Sequence, residues 1–226
     1  MGSATLGVAK GSGGSLAIAG ERLLYLSTSG VMIYSGGIPQ SLHDAFGMTR
    51  LRGGRAGSDG LKYYLSAQDE AGDWKLCVYD TRKGMWHIED KTHATHFCRY
   101  QGNTYFLTAE GEIALTGNIL DAPEGCTDEG DFTWFAETGD FTEKGSSQST
   151  SYDGVKKGIA KLWVRIEVAA GAEAKVLMQF DSDGKWVQAG QTLKPDRKRS
   201  YYLPIVPRRA DHYRIRIEGK GECRVY

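Results

Sequence analysis

The residues best suited to hold a metal gather at "THATHFC", 92–98, which brings together His93, His96 and Cys98. His96 and Cys98 are two apart and so share one face of a strand. Imidazole with thiolate would suit zinc. No fourth ligand stands at a recognisable spacing, and His87 belongs to another strand. The reading is therefore strand and surface residues, with no metal and no cofactor. "FDSDGKW" (180–186) begins like a D-x-D-x-D-G calcium loop but lacks the third acid and the terminal glutamate. Asp-Gly between strands is a strong hairpin signal, so a turn at Asp183-Gly184 is expected.

Two charged stretches are the other candidates. Residues 121–143 hold eight acids (Asp121, Glu124, Asp128, Glu129, Asp131, Glu137, Asp140, Glu143) and no base. A carboxylate pair facing across a cleft would suit glycoside hydrolysis, but a solvated acidic linker is the simpler reading. Residues 194–216 carry Lys194, Arg197, Lys198, Arg199, Arg208, Arg209, Arg214 and Arg216 against Asp196 and Asp211, with Tyr201, Tyr202 and Tyr213 interleaved. Such a stretch fits three uses: subunit assembly, a solvated face within one chain, or nucleic acid. Overall neutrality, 28 Lys and Arg against 28 Asp and Glu, argues against nucleic acid and against an anionic membrane. No P-loop, G-x-S-x-G or G-x-G-x-x-G after a strand is present.

The elements that must position these residues read as β almost throughout. Forty per cent of residues are hydrophobic and there are 30 glycines against 5 prolines, which fits many tight turns between strands. Strands are expected at 16–19, 23–27, 31–35, 61–66, 74–80, 85–89, 95–101, 104–108 and 112–116, with one short helix at 38–47. "ERLLYLSTSGVMIYSGG" (21–37) and "GNTYFLTAEGEIALTGN" (102–118) repeat one strand–turn–strand plan around a longer meander. Recurring hairpins of this kind suggest propeller-like blades in residues 1–125. Trp74 and Trp86 end up near strand ends, where they would pack against the next hairpin. A blade takes ~40–50 residues and closure at least ~4 blades. This array is therefore expected to be incomplete, either part of a longer protein or completed by something else.

The second unit is expected at 130–226 as an antiparallel, jelly-roll-like β-sandwich. "KLWVRIEVA" (161–169) alternates, with Leu162, Val164, Ile166 and Val168 on one face and Lys161, Trp163, Arg165 and Glu167 on the other. "YRIRIEG" (213–219) alternates likewise, and "KVLMQF" (175–180) more weakly. The contact residues expected are Trp163 with Arg165 on the polar face, plus Arg199, Arg208 and Arg209 near strand ends. Cys77, Cys98, Cys126 and Cys223 share no CxxC and read as free thiols of a reducing compartment. The first residues lack the apolar core of a signal peptide, and no apolar run approaches a membrane span.

The order "GDWKLCVYDTRKGMWHIED", "GNTYFLTAEGEI", "KKGIAKLWVRIEVAAGAEAKVLMQFDSDGKW", "LPIVPRRADHYRIRIEG" resembles virion structural proteins encoded in phages and prophages of gut Firmicutes, over roughly residues 20–226. The resemblance implies an all-β chain: a partial propeller-like hairpin array followed by a sandwich. It implies a non-enzymatic tail or neck component, made in the bacterial cytoplasm and working in the virion. Partners would be other virion proteins or copies of itself, with no nucleic acid and no membrane. No active-site residue comes with it. Two other readings stand beside it: a carbohydrate-binding or host-adhesion module that stacks sugars on Trp or Tyr, and a glycosidase-like propeller enzyme.

Overall fold

The computed structural model describes residues 6–42, 50–117, 124, 132–141, 156–159 and 161–226. Among these there is no α-helix; the extended elements are β-strands, and a 3-10 turn lies at Gly13–Ser15. The fold is all-β. The chain divides into two compact units, Met1–Thr127 and Asp128–Tyr226.

The first unit is built of consecutive antiparallel meanders. Sheet A runs in the order β1 (Ala17–Ala19), β2 (Arg22–Ser27), β3 (Gly30–Tyr34) and β4 (Gln40–Ser41). Sheet B follows with β5 (Arg52–Ser58), β6 (Lys62–Gln68), β7 (Trp74–Asp80) and β8 (Met85–Ile88). Sheet C has three strands, β9 (Ala94–Tyr100), β10 (Asn103–Thr108) and β11 (Ile113–Thr116). The two repeated phrases are the β2–β3 and β10–β11 hairpins.

Sheet B lies between the other two, and strand alternation shows how. On one face, Tyr63, Leu65 and Ala67 of β6 with Cys77 and Tyr79 of β7 share a core with Leu24, Leu26 and Val31 of sheet A. On the other face, Tyr64 with Leu76 and Val78 packs on Phe97 of sheet C. β6 and β7 are covered on both sides, so their sequences read as continuous apolar runs rather than alternations. Trp86 is 9% exposed, edge-on to Tyr63 at 6.3 Å and tilted against Tyr79 at 5.1 Å. Packing is its role, as its place after the turn at Gly84 (φ 63°) implied. Trp74 stacks on the His93 ring at 3.5 Å and 10°.

Two elements differ from expectation. Gln40 and Ser41, placed in a helix at 38–47, instead pair as β4 with Ile33 and Met32; residues 43–49 of that stretch lie outside the described residues. β5, "RGGRAGS", was not anticipated, because its glycines argue against a strand. Its neighbours supply the reason for it. A Cβ on Gly54 would meet Leu26 at 2.9 Å and Leu65 at 3.2 Å, and one on Gly57 would overlap the ring of Phe97. Only glycine lets this strand sit between two packed layers.

The second unit is a sandwich. Sheet D has the order β12 (Thr133–Glu137), β19 (Tyr213–Lys220), β15 (Glu173–Phe180) and β16 (Val187–Gln188). Sheet E has β17 (Asp196–Leu203), β14 (Leu162–Val168) and β20 (Cys223–Val225). A separate short pair joins β13 (Lys157–Gly158) to β18 (Arg209–Ala210). Val164, Ile166 and Val168 of β14 meet Ala174, Val176, Met178 and Phe180 of β15 in one core. The alternation read at 161–169 thus puts Trp163 and Arg165 on the outer face of sheet E. The turn after β15 is shifted from Asp183-Gly184. Asp181 and Ser182 hold φ of 53° and 50°, and Asp183 N–H donates to the Phe180 carbonyl at 3.1 Å. That is the two-residue left-handed turn that suits strand twist. The Asp181 carboxylate fixes it by accepting from Asp211 N–H at 2.7 Å.

Candidate interaction surface

The outer face of sheet E carries the residues expected to make contacts. Trp163 and Tyr202 are directly opposed on β14 and β17. They are 61% and 48% exposed, their rings 5.2 Å apart and tilted by 54°. Arg165 and Ser200 form the next opposed pair along the same two strands, on the same face. Across β14, Tyr226 donates from its backbone N–H to the Arg165 carbonyl and from its hydroxyl to Glu167 Oε2 at 2.9 Å. The Glu167 carboxylate accepting that proton raises the Tyr226 phenol above its ordinary pKa. Lys198 Nζ stands 3.4 Å from the centroid of the same ring. The result is a band of exposed aromatic rings edged by Arg165, Lys198 and Arg224.

The remaining expected contact residues do not join this band as a group. Arg199 pairs with Asp196 at 2.9 Å and lies 4.6 Å over the Tyr201 ring. Tyr201 in turn donates to the same Asp196 carboxylate. Arg208 reaches Asp183 at 3.4 Å and lies 5.3 Å from the Phe180 ring, beside the turn that ends β15. Arg209 is exposed on β18, its backbone paired with Gly158.

A second cluster, on the outer face of sheet D, was not foreseen. The Arg216 guanidinium is held between Phe135, 4.8 Å, and Trp186, 4.4 Å. It pairs with Glu137 at 2.8 Å and Glu218 at 3.4 Å. Arg214 pairs with Asp140 through two hydrogen bonds and with Glu137 at 3.6 Å. The Arg214 guanidinium holds the Asp140 carboxyl below its usual range. Glu137 and Asp140 belong to the acidic stretch, Arg214 and Arg216 to the basic one. These opposite charges meet within the chain and are not left for another subunit. The alternating "TWFAE" lies opposite "RIEGK" (216–220), but pairing of β12 with β19 spans some eighty residues and no local pattern announces it.

Other candidate chemistry is dispersed. His93 lies on Trp74, while His96 and Cys98 sit on the exposed face of β9. Among the described residues no three His, Cys, Asp or Glu groups are arranged to hold a metal. Ser182 Oγ and His212 Nε2 are 2.8 Å apart, the contact a nucleophile and its base would need. A depression on sheet D, about 370 Å³ and lined by Thr133, Phe135, Glu173, Lys175, Glu218 and Lys220 among others, includes neither.

No known protein family matches the chain, and no curated protein matches it. Among solved structures it is similar to an exo-beta-1,3-galactanase from Phanerochaete chrysosporium crystallised with beta-1,3-galactotriose, at 12% identity and a TM-score of 0.29. The match covers 91% of this chain and 65% of that one, so the chain spans under two thirds of the galactanase's length. A superposition this loose carries no argument about fold or chemistry.

Proposed function

We propose that this chain is a non-enzymatic structural component of a virion, of the tail or neck, that works by presenting β surfaces to neighbouring subunits. The observation that supports this most is the outer face of sheet E. Trp163, Tyr202 and Tyr226 are 61%, 48% and 54% exposed on one face beside Arg165. Exposed Trp, Tyr and Arg in a group are the composition of interface centres, and a contiguous exposed apolar patch in a soluble protein marks a contact. The virion assignment itself rests on the resemblance of the sequence to phage and prophage structural proteins.

A glycan-binding module is the alternative, and ring geometry weighs against it. Sugar stacking needs an open ring face. Lys198 already covers the face of Tyr226, Arg216 lies against Phe135 and Trp186, and Trp163 and Tyr202 are tilted by 54° rather than coplanar. The experiment is Trp163→Ala combined with Arg165→Glu, scored for incorporation into particles and for fold by circular dichroism. Both side chains are exposed, so the fold is expected to persist while incorporation falls. Normal incorporation overturns the assembly role of this face. A glycan array in which the unaltered chain binds a sugar and the double variant does not would replace it with the adhesion reading.

A further inference from the structure

We propose that the free edge of β17 is a strand-addition site: it takes one extended, acidic segment of a neighbouring subunit as a further strand of sheet E. This rests on the assembly reading above and names the chemistry of the partner.

Hydrogen-bond directions along β14 define the edge. The Arg165 carbonyl accepts from Tyr226 N–H, and Ala169 N–H donates to the Glu222 carbonyl. Arg165, Glu167 and Ala169 therefore turn their backbone groups toward β20. The residues between them, with Leu162, turn theirs toward β17: Leu162 meets Leu203, Val164 meets Tyr201 and Ile166 meets Arg199. The N–H and C=O groups of Ser200 and Tyr202 are left pointing away from β14. Sheet E ends at β17, and among the described residues no strand pairs on that side. Both residues are exposed. The open run is short. A bulge closes one end, where Asp196 to Arg199 of β17 span only Ile166 to Val168 of β14. Pro204 closes the other, its carbonyl already accepting from Gly190 N–H. Such an edge resists open-ended sheet growth and has room for one short segment.

Charge selects the segment. β17 carries Arg197, Lys198 and Arg199 against Asp196. The Asp196 carboxylate is committed within the strand, accepting from Arg197 N–H, the Arg199 guanidinium and the Tyr201 hydroxyl. Among the described residues the side chains of Arg197 and Lys198 have no acidic partner, and neither does Arg165 on the next strand. The cations flank the edge on both faces of the sheet: Lys198 lies over Tyr226 on the outer face, and Arg199 over Tyr201 on the other. A strand laid beside β17 sends alternate side chains to each face, so its carboxylates find a cation on either side. A second copy's β17 would bring the same three cations to the same edge and be repelled. A neutral strand would gain nothing from them.

The test is fluorescence anisotropy of a labelled, end-blocked octapeptide of alternating Thr and Glu, titrated with the full chain. The peptide is expected to bind and to release as salt rises. The same peptide with methylated backbone nitrogens keeps every charge but cannot donate to a ladder, and is expected to bind about tenfold more weakly. Ser200→Pro removes the edge N–H and no bond to β14, so circular dichroism should be unchanged while affinity for the unmethylated peptide falls by a similar factor. The methylated peptide tests the ladder without altering the protein. A peptide with Lys in place of Glu is expected not to bind. Absence of binding by the acidic peptide overturns the proposal. So does equal binding of the methylated peptide, which would leave charge alone, or displacement of the peptide by oligothymidylate at equal concentration, which would point to phosphate. Incorporation into particles separates this proposal from the reading it rests on. If Trp163→Ala with Arg165→Glu is excluded while Ser200→Pro incorporates normally, the face assembles without the edge and the proposal falls alone. If both incorporate normally while peptide binding still depends on the ladder, the assembly reading falls and the strand-addition site stands.

Discussion

Gly219 on β19 is directly opposed by Trp134 on the edge strand β12. The indole lies across the glycine, and its Nε1 donates to the Gly221 carbonyl at 2.8 Å. A Cβ at position 219 would fall inside the ring, overlapping Cζ2 and Cε2 and standing 2.9 Å from Nε1. Ordinary carbon contact lies near 3.5–4.0 Å, so Gly219→Ala should force the ring back by roughly 1 Å or more. That displacement carries Nε1 beyond hydrogen-bonding range of Gly221. Loss of the bond costs about 0.5–1.5 kcal/mol. Lost ring contact adds a similar amount, for a total near 1–3 kcal/mol, within the usual cost of overpacking. The chain has two units, so a single unfolding midpoint is a poor readout. Hydrogen exchange of the amides in 132–141 reports the opening of β12 itself, and its protection should fall about 5- to 150-fold. Trp134→Ala removes the same interaction and should cost about as much. The double variant should then be hardly worse than Trp134→Ala alone, a coupling of about 1 kcal/mol or more. Strictly additive losses, or unchanged protection in Gly219→Ala, would refute the view that the indole needs a bare backbone to hold the edge strand.

Trp86→Ala should destabilise the first unit by about 3–5 kcal/mol in urea unfolding, because it empties the core shared by sheets A and B. Trp86→Phe should cost far less than that, since the buried Nε1 has no hydrogen-bond partner among the described residues to lose. Asp80 is 5% exposed. Burial opposes its ionisation, yet the Arg82 and Lys83 N–H groups donate to it and hold its pKa below the ordinary carboxylate value. Its folded pKa is depressed, so its contribution is fully present above the unfolded carboxylate pKa of about 3.9 and is lost as pH falls through the lower folded value. Asp80→Asn should therefore flatten acid unfolding of the first unit in a pH titration followed by circular dichroism. Arg216→Ala should open β12 to exchange, because Phe135, Glu137 and Trp186 all lose their shared partner; Arg216→Lys should rescue little, lacking the planar fork.

The chain's own pattern was enough for the class and for most strands. Alternation at 161–169 settled which side chains face the core, because the two-residue strand period leaves no freedom once one face is buried. Hairpins closing at Gly30, Gly84 and Gly111 were visible for the same local reason, since turn chemistry acts over four residues. What lay beyond the sequence was set by partners distant along the chain. β5 is a strand because Leu26, Leu65 and Phe97 close over its glycines, whereas its own residues argue for a loop. The turn after β15 settled on Asp181-Ser182 rather than Asp183-Gly184 because Asp211 and His212, thirty positions away, supply its hydrogen bonds. The same holds for the charged stretches. Composition showed one acidic and one basic, but only the pairing of β12 with β19 decided that Glu137 and Asp140 would meet Arg214 and Arg216 in the same chain. Charge is legible in a sequence; which opposite charge it finds depends on the register of strands far apart in sequence, which tertiary packing alone selects.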